Sequence, residues 1–189
     1  MPRARKLCLS LALAAGLATG PASACGYHQP VDVERGILNL VYPDALYVTT
    51  AVWQAEQAGH LGGARPAGLA AAQDPFAFHG EARRLERLGE RLAQAAPQEL
   101  SGFSLVLIES MLWTRYTLAY GRALSAVHSD GRGEGDTVVV THGLVVRALV
   151  EGRLDGERAL QLGLLRLYGE AEDVARIEML LTSLRASGS

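Results

Sequence analysis

The sequence predicts an α+β fold, with a helical N-terminal half packed on a small, mostly antiparallel four- to five-stranded sheet with C-terminal helices. Three observations carry this. Up to about Ala95, apolar residues recur every three to four positions, the period of a helix with one buried face. From Gly102 the period changes to two, the alternation of a pleated strand. The stretch Asp136 to Gly169, DTVVVTHGLVVRALVEGRLDGERALQLGLLRLYG, then reads as strand, helix, short helix and strand, with a turn residue at every junction. Helices that precede and follow a run of strands favour α+β over an alternating α/β arrangement.

Met1 to Ala24 reads as a secretory signal peptide. Arg3, Arg5 and Lys6 are its basic region, Leu7 to Ala18 its apolar core, and Pro21-Ala22-Ser23-Ala24 its small-residue cleavage site. The apolar run is too short for a stable bilayer span. Removing it takes three basic residues and no acid, which moves the formal net charge from -2 to -5. Every remaining cation is then an arginine, because Lys6 is the only lysine. A mildly acidic chain without a basic cluster excludes nucleic acid and anionic lipid as electrostatically favoured partners. About 165 residues remain, enough for a real core.

Cys25 then stands at or beside the new N-terminus, and Cys8 leaves with the signal, so no internal disulfide is available. Three readings of Cys25 compete: diacylation as a lipoprotein, a free thiol for metal or intermolecular pairing, and an inert residue. Cys25-Gly26-Tyr27-His28 brings an amine, a thiol and an imidazole within four residues, a donor set suited to copper or zinc. An ordinary exposed tail has the same composition.

The mature chain is read as residues 25–98, the helical half, followed by residues 99–189, the α+β half. Val31 to Val41 is a helix with Val33, Ile37, Leu40 and Val41 on one side, interrupted by Tyr42-Pro43-Asp44. A second helix carries Ala45, Val48, Val52 and Ala55. Gly59 to Ala72 is the linker candidate. A third helix, about Phe78 to Ala95, puts Leu85, Leu88 and Leu92 inside. Arg83, Glu86, Arg87, Glu90 and Arg91 form its solvated face. Phe103, Leu105 and Leu107, then Leu112, Thr114, Tyr116 and Leu118, alternate along one bent strand or two strands joined at Glu109-Ser110. Ala123 to His128 and Asp136 to Thr141 flank a Gly-rich loop and read as a hairpin.

In the C-terminal half, Thr137 to Thr141 is a β-branched strand, and His142-Gly143 opens a helix with Leu144, Val145, Ala148 and Leu149. Gly152 ends it, Asp155 caps the next, and Gly163 stops that one. Leu164 to Tyr168 is a strand. The last helix runs from Glu170 to about Arg185, with Glu172 and Asp173 in the first turn, where the helix dipole accounts for them.

The pattern Gly152, Leu154, Ala159, Gly163, Leu165, Leu167, Gly169 resembles the C-terminal half of sterol-carrier-protein-2-like domains, over the last third of the chain. In that family a small sheet backed by helices encloses an apolar tunnel for lipids. The resemblance implies a non-catalytic fold binding a small apolar or amphipathic ligand. If the sheet closes over such a cavity, Leu105, Leu107, Trp113 and Tyr116 line it, and Arg115 meets an anionic head group. Trp113 and Arg115 share one face of the strand and Tyr116 points to the other.

VVVTHGLVVRAL also resembles the second histidine motif of histidine phosphatases, in which a strand-end His-Gly precedes an apolar helix. That resemblance implies a phosphate pocket using His142. The family's Arg-His-Gly phosphoacceptor has no counterpart, since the other His-Gly, His79-Gly80, follows Phe78. No nucleophile elbow or phosphate-cradling glycine pattern is present. The five histidines show no metal-ligand spacing. The sequence therefore points first to an exported binding protein, periplasmic or anchored at Cys25. A metal-handling or interaction protein acting through Cys25 and His28 comes second.

Overall fold

A computed structural model describes residues 30–62, 75–96 and 100–186. The expected signal peptide, Cys25, His28, most of the Gly59–Ala72 linker candidate and Pro97 lie outside the described residues. The described chain runs α1 (Pro30–Val41), α2 (Tyr47–Gln57), α3 (Pro75–Ala95), β1 (Leu100–Leu107), β2 (Leu112–Ala119), β3 (Arg122–Val127) and β4 (Thr137–Thr141). It continues through α4 (Gly143–Val150), α5 (Gly156–Gln161), β5 (Arg166–Tyr168) and α6 (Ala171–Thr182). The fold is α+β. Its strand order is β3-β2-β1-β4-β5, antiparallel throughout except for the central β1–β4 pair.

That order corrects the expected hairpin of Ala123–His128 with Asp136–Thr141. The two segments are separated in the sheet by β2 and β1. The true hairpin is β2–β3, closed by the two residues Tyr120 and Gly121, both at positive φ (51° and 72°). Such two-residue turns match the twist of paired strands, and Gly121 meets the requirement without strain. No Asn-Gly or Asp-Gly marks the turn in the sequence. β1 and β2 are two strands joined through residues 108–111, the second of the two arrangements that the alternation allows.

The register sorts the side chains. Phe103, Leu105 and Leu107 share a face with Tyr116, Thr114 and Leu112, their partners on β2. This face lies under α3, whose Leu85, Leu88 and Leu92 are buried as expected. Gly89 lets the helix approach, because a Cβ there would sit 2.9 Å from the Tyr116 ring. The opposite face carries Ser104, Val106, Trp113 and Arg115, with Val138 and Val140 of β4 beside them. Leu38 and Tyr42 of the N-terminal segment, and Ala45, Val48, Val52 and Ala55 after them, belong to the same buried core.

α1 departs from expectation. Among its described side chains Leu38 is the inward one, whereas Ile37, Leu40 and Val41 are 53%, 82% and 58% exposed. Of the apolar stripe that the spacing selects, Ile37, Leu40 and Val41 thus face away from the core. α3 also departs in part. Arg91, expected on a solvated face, donates to the carbonyls of Leu149 (2.5 Å), Val150 (3.1 Å) and Arg185 (2.9 Å). These carbonyls lie at and beyond helix C-termini, where the backbone has no intrahelical donor left.

α4 to α6 follow the turn residues closely. Gly152 and Gly163 adopt φ of 67° and 69°, the left-handed conformation of helix ends. The Asp155 carboxylate accepts the Arg158 N–H at 2.6 Å as the cap of α5. β5 is shorter than Leu164–Tyr168, because Leu164 is instead fixed by its own carbonyl, which accepts the Thr141 hydroxyl.

Candidate functional site

The five residues proposed to line one cavity do not come together. Leu105, Leu107 and Tyr116 lie on the α3 side, each at most 1% exposed. Tyr116 stacks on Phe103 at 5.0 Å between ring centroids, and its hydroxyl donates to the Leu85 carbonyl at 2.9 Å. Burial raises its pKa far above the ordinary tyrosine value, and the Glu86 charge adds to the shift. Trp113 and Arg115 lie across the sheet. Alternation along β2 requires this separation.

Arg115 is also committed. Its guanidinium grips Asp136 through Nε–Oδ2 at 2.9 Å and Nη2–Oδ1 at 3.2 Å, and the Ser104 hydroxyl donates to the same Oδ2. Gly133 N–H donates to Ser104 Oγ, which folds the β3–β4 loop onto this corner. The residue expected to meet a head group is thus a loop anchor.

Trp113 heads a different arrangement. Its ring lies 6.4 Å from Tyr42, which lies 5.1 Å from Tyr168. The Tyr168 hydroxyl donates to the Pro43 carbonyl at 2.6 Å, tying the α1–α2 turn to the sheet edge. Burial raises the pKa of Tyr42 and of Tyr168; Arg132 opposes the shift at Tyr42 and Arg166 at Tyr168. Between that turn and the α5–β5 segment lies a cleft of about 450 Å³. It is lined by Pro43, Leu160, Leu165 and Leu167 together with the polar Asp44, Gln161, Arg166 and Tyr168. Arg166 extends over the Tyr47 ring at 5.9 Å, and its buried Nε has no hydrogen-bond partner among the described residues. Sequence reasoning missed Arg166 because β5 is short and nothing local marks it. The only sign was its place among Leu164, Leu165 and Leu167, a cation inside an apolar strand.

His142 occupies the end of β4. Its Nδ1 accepts the Leu144 N–H at 3.1 Å, so the imidazole caps α4. Glu109 lies beside it, Oε1 3.5 Å from Nδ1, and accepts the Gly143 N–H at 2.6 Å. Glu81, paired with Arg84 at 2.5 Å, approaches the same turn. The surroundings of His142 therefore include two carboxylates as well as an arginine already engaged. No group of three or more His, Cys, Asp or Glu among the described residues is placed to hold a metal ion. Among them, too, no helix is long and apolar enough to cross a membrane.

No protein-family model matches the chain, and no curated protein does. Among solved structures it is similar to a double mutant of a sec-alkyl sulfatase, at 20% identity over 63% of this chain, with a TM-score of 0.37. A stereoselective inverting sec-alkylsulfatase from Pseudomonas sp. gives 20% over 61%, with a TM-score of 0.36. This chain spans 17% of the length of either sulfatase. A conserved hypothetical protein from Thermus thermophilus, described with the suggestion of a sterol carrier protein, is 17% identical over 68% of this chain and 95% of its own, with a TM-score of 0.29.

Proposed function

We propose that this is an exported, non-catalytic protein that binds a small amphipathic ligand in the cell envelope, with the cleft beside β5 as its site. One observation carries the reading: a cleft of about 450 Å³ is lined by Leu160, Leu165 and Leu167 together with Arg166 and Tyr168. Ligand pockets of roughly 300–1,000 Å³ combine apolar lining with a few polar groups that fix orientation. Arg166 is the residue to meet an anionic head group, since a guanidinium binds carboxylate or phosphate oxygens through two parallel N–H donors. The leucines take the apolar part.

Titration with dansyl-labelled undecanoic acid, followed by its emission, tests this. Saturable binding, displaced by unlabelled fatty acid, is expected. Arg166→Gln weakens it about 10- to 100-fold, the loss of one charge-assisted contact. Absence of binding, or equal affinity in Arg166→Gln, overturns the reading.

A further inference from the structure

We propose that the outward side of the α1–α2 pair is a membrane-docking surface, and that its partner is the interface of a zwitterionic phospholipid bilayer. Ile37, Leu40 and Val41 stand at i, i+3 and i+4 of α1 and are 53%, 82% and 58% exposed. In the segment that follows, Leu46, Tyr47 and Trp53 are also exposed, at 39%, 61% and 54%. This segment spends its large apolar side chains on both sides. Leu38, Tyr42, Val48 and Val52 fill the core while the outer set stays exposed, with Tyr47 contacting a charged side chain, Arg166. Exposed large apolar side chains concentrated in one short segment mark a contact site.

Two features choose a bilayer over a second protein. The first is position. α1 begins at Pro30, five residues past Cys25 and twelve past the apolar run that ends at Ala18. Five extended residues span at most about 17–18 Å. An acyl group on Cys25 would therefore keep α1 within the depth of the interface. The second feature is charge and residue type. From Gly36 to Ala55 the only charged residue is Asp44, which lines the cleft, and there is no Lys or Arg. Such a surface gains nothing from anionic lipid. Tyr47 and Trp53 are the side chains that settle at the head-group level of a neutral membrane. Tyr47 also carries Arg166 over its ring, so the docked face borders the cleft and would set its mouth toward the lipid.

The test uses the full chain carrying Trp113→Phe, which leaves Trp53 as the single tryptophan, on phosphatidylcholine vesicles with lipids brominated near the head group. Because no tryptophan lies in the leader, Trp53 emission reports this face and not the apolar run. Docking predicts a blue shift, quenching by the brominated lipid and loss of iodide quenching, all reversed in Leu40→Asp with Val41→Asp. Both substituted positions are exposed, so the fold does not depend on them. Emission that stays iodide-accessible and unaffected by bromine overturns the proposal. So does Trp53 shielded from iodide without vesicles, together with a dimer in sedimentation, which would assign the face to a second copy.

Discussion

Arg115 and Asp136 form a two-point ion pair between β2 and the residue that leads into β4, with Asp136 only 3% exposed at its side chain and Arg115 47%. The asymmetry sets the energetics. Arg115→Ala leaves the buried Asp136 carboxylate without its cation and costs about 2–3 kcal/mol. Asp136→Ala costs less, about 1–2 kcal/mol, because the guanidinium left behind is half solvated and the main loss is the stranded Ser104 hydroxyl. Urea midpoints of the two variants and of the double variant measure this, and the double variant should cost less than the sum.

Tyr116 predicts an alkaline limit to stability. Its pKa is raised in the folded protein, first by burial. Above pH 10 the unfolded chain loses the phenolic proton while the folded one keeps it, so stability falls as pH rises. It is fully present below the ordinary tyrosine pKa. The loss is about 1.4 kcal/mol per pH unit. Tyr116→Phe removes most of this slope at a fixed cost of about 1 kcal/mol, the net worth of its bond to Leu85. Urea unfolding between pH 8 and pH 11, as a series, checks both.

Two glycine-to-alanine changes should have opposite signs. At Gly156 a Cβ would stand on the Leu181 carbonyl oxygen, and the glycine N–H donates to Leu184 O at 2.9 Å. Gly156→Ala should cost about 2–3 kcal/mol by forcing α5 off α6. At Gly36, within α1, nothing lies within 4 Å. Gly36→Ala should stabilise by about 0.5–1 kcal/mol through helix propensity. Thermal melts of the two proteins decide it.

Arg91→Ala should destabilise by about 1–2 kcal/mol, since it removes three donations to carbonyls at helix ends. Arg91→Lys should recover only part, because a single ammonium cannot span the carbonyls of α4 and Arg185 together. Hydrogen exchange localised to α4 and the residues after α6 separates this from a general loss of stability.

The helices, strands and their caps were legible because each is written locally. Leu85, Leu88 and Leu92 announce a buried stripe, and Asp155 and Gly163 announce a start and a stop. Strand pairing was not. β3 looks equally ready to pair forwards or backwards, and the choice is made by a Tyr120-Gly121 turn that has no distinctive signature. The inward side of α1 was misread for a related reason. Leu38 and Ile37 are adjacent and equally apolar, and only the tertiary position of Tyr42 decides which one turns in. The candidate cleft was least legible, because Pro43 and Arg166 are more than a hundred positions apart and only the folded chain brings them to one place.

The central parallel pair gives the chain an order of assembly. β1, β2 and β3 are consecutive and antiparallel, so they close through short turns as soon as residue 127 exists. The other edge of β1 pairs with β4, and Phe103 must wait for Thr137. Contacts of low sequence separation form faster than distant ones. During synthesis from the amino end, the newborn meander therefore carries one unsatisfied inner edge until Thr141 follows, and that interval is when the nascent chain is most open to pairing with another.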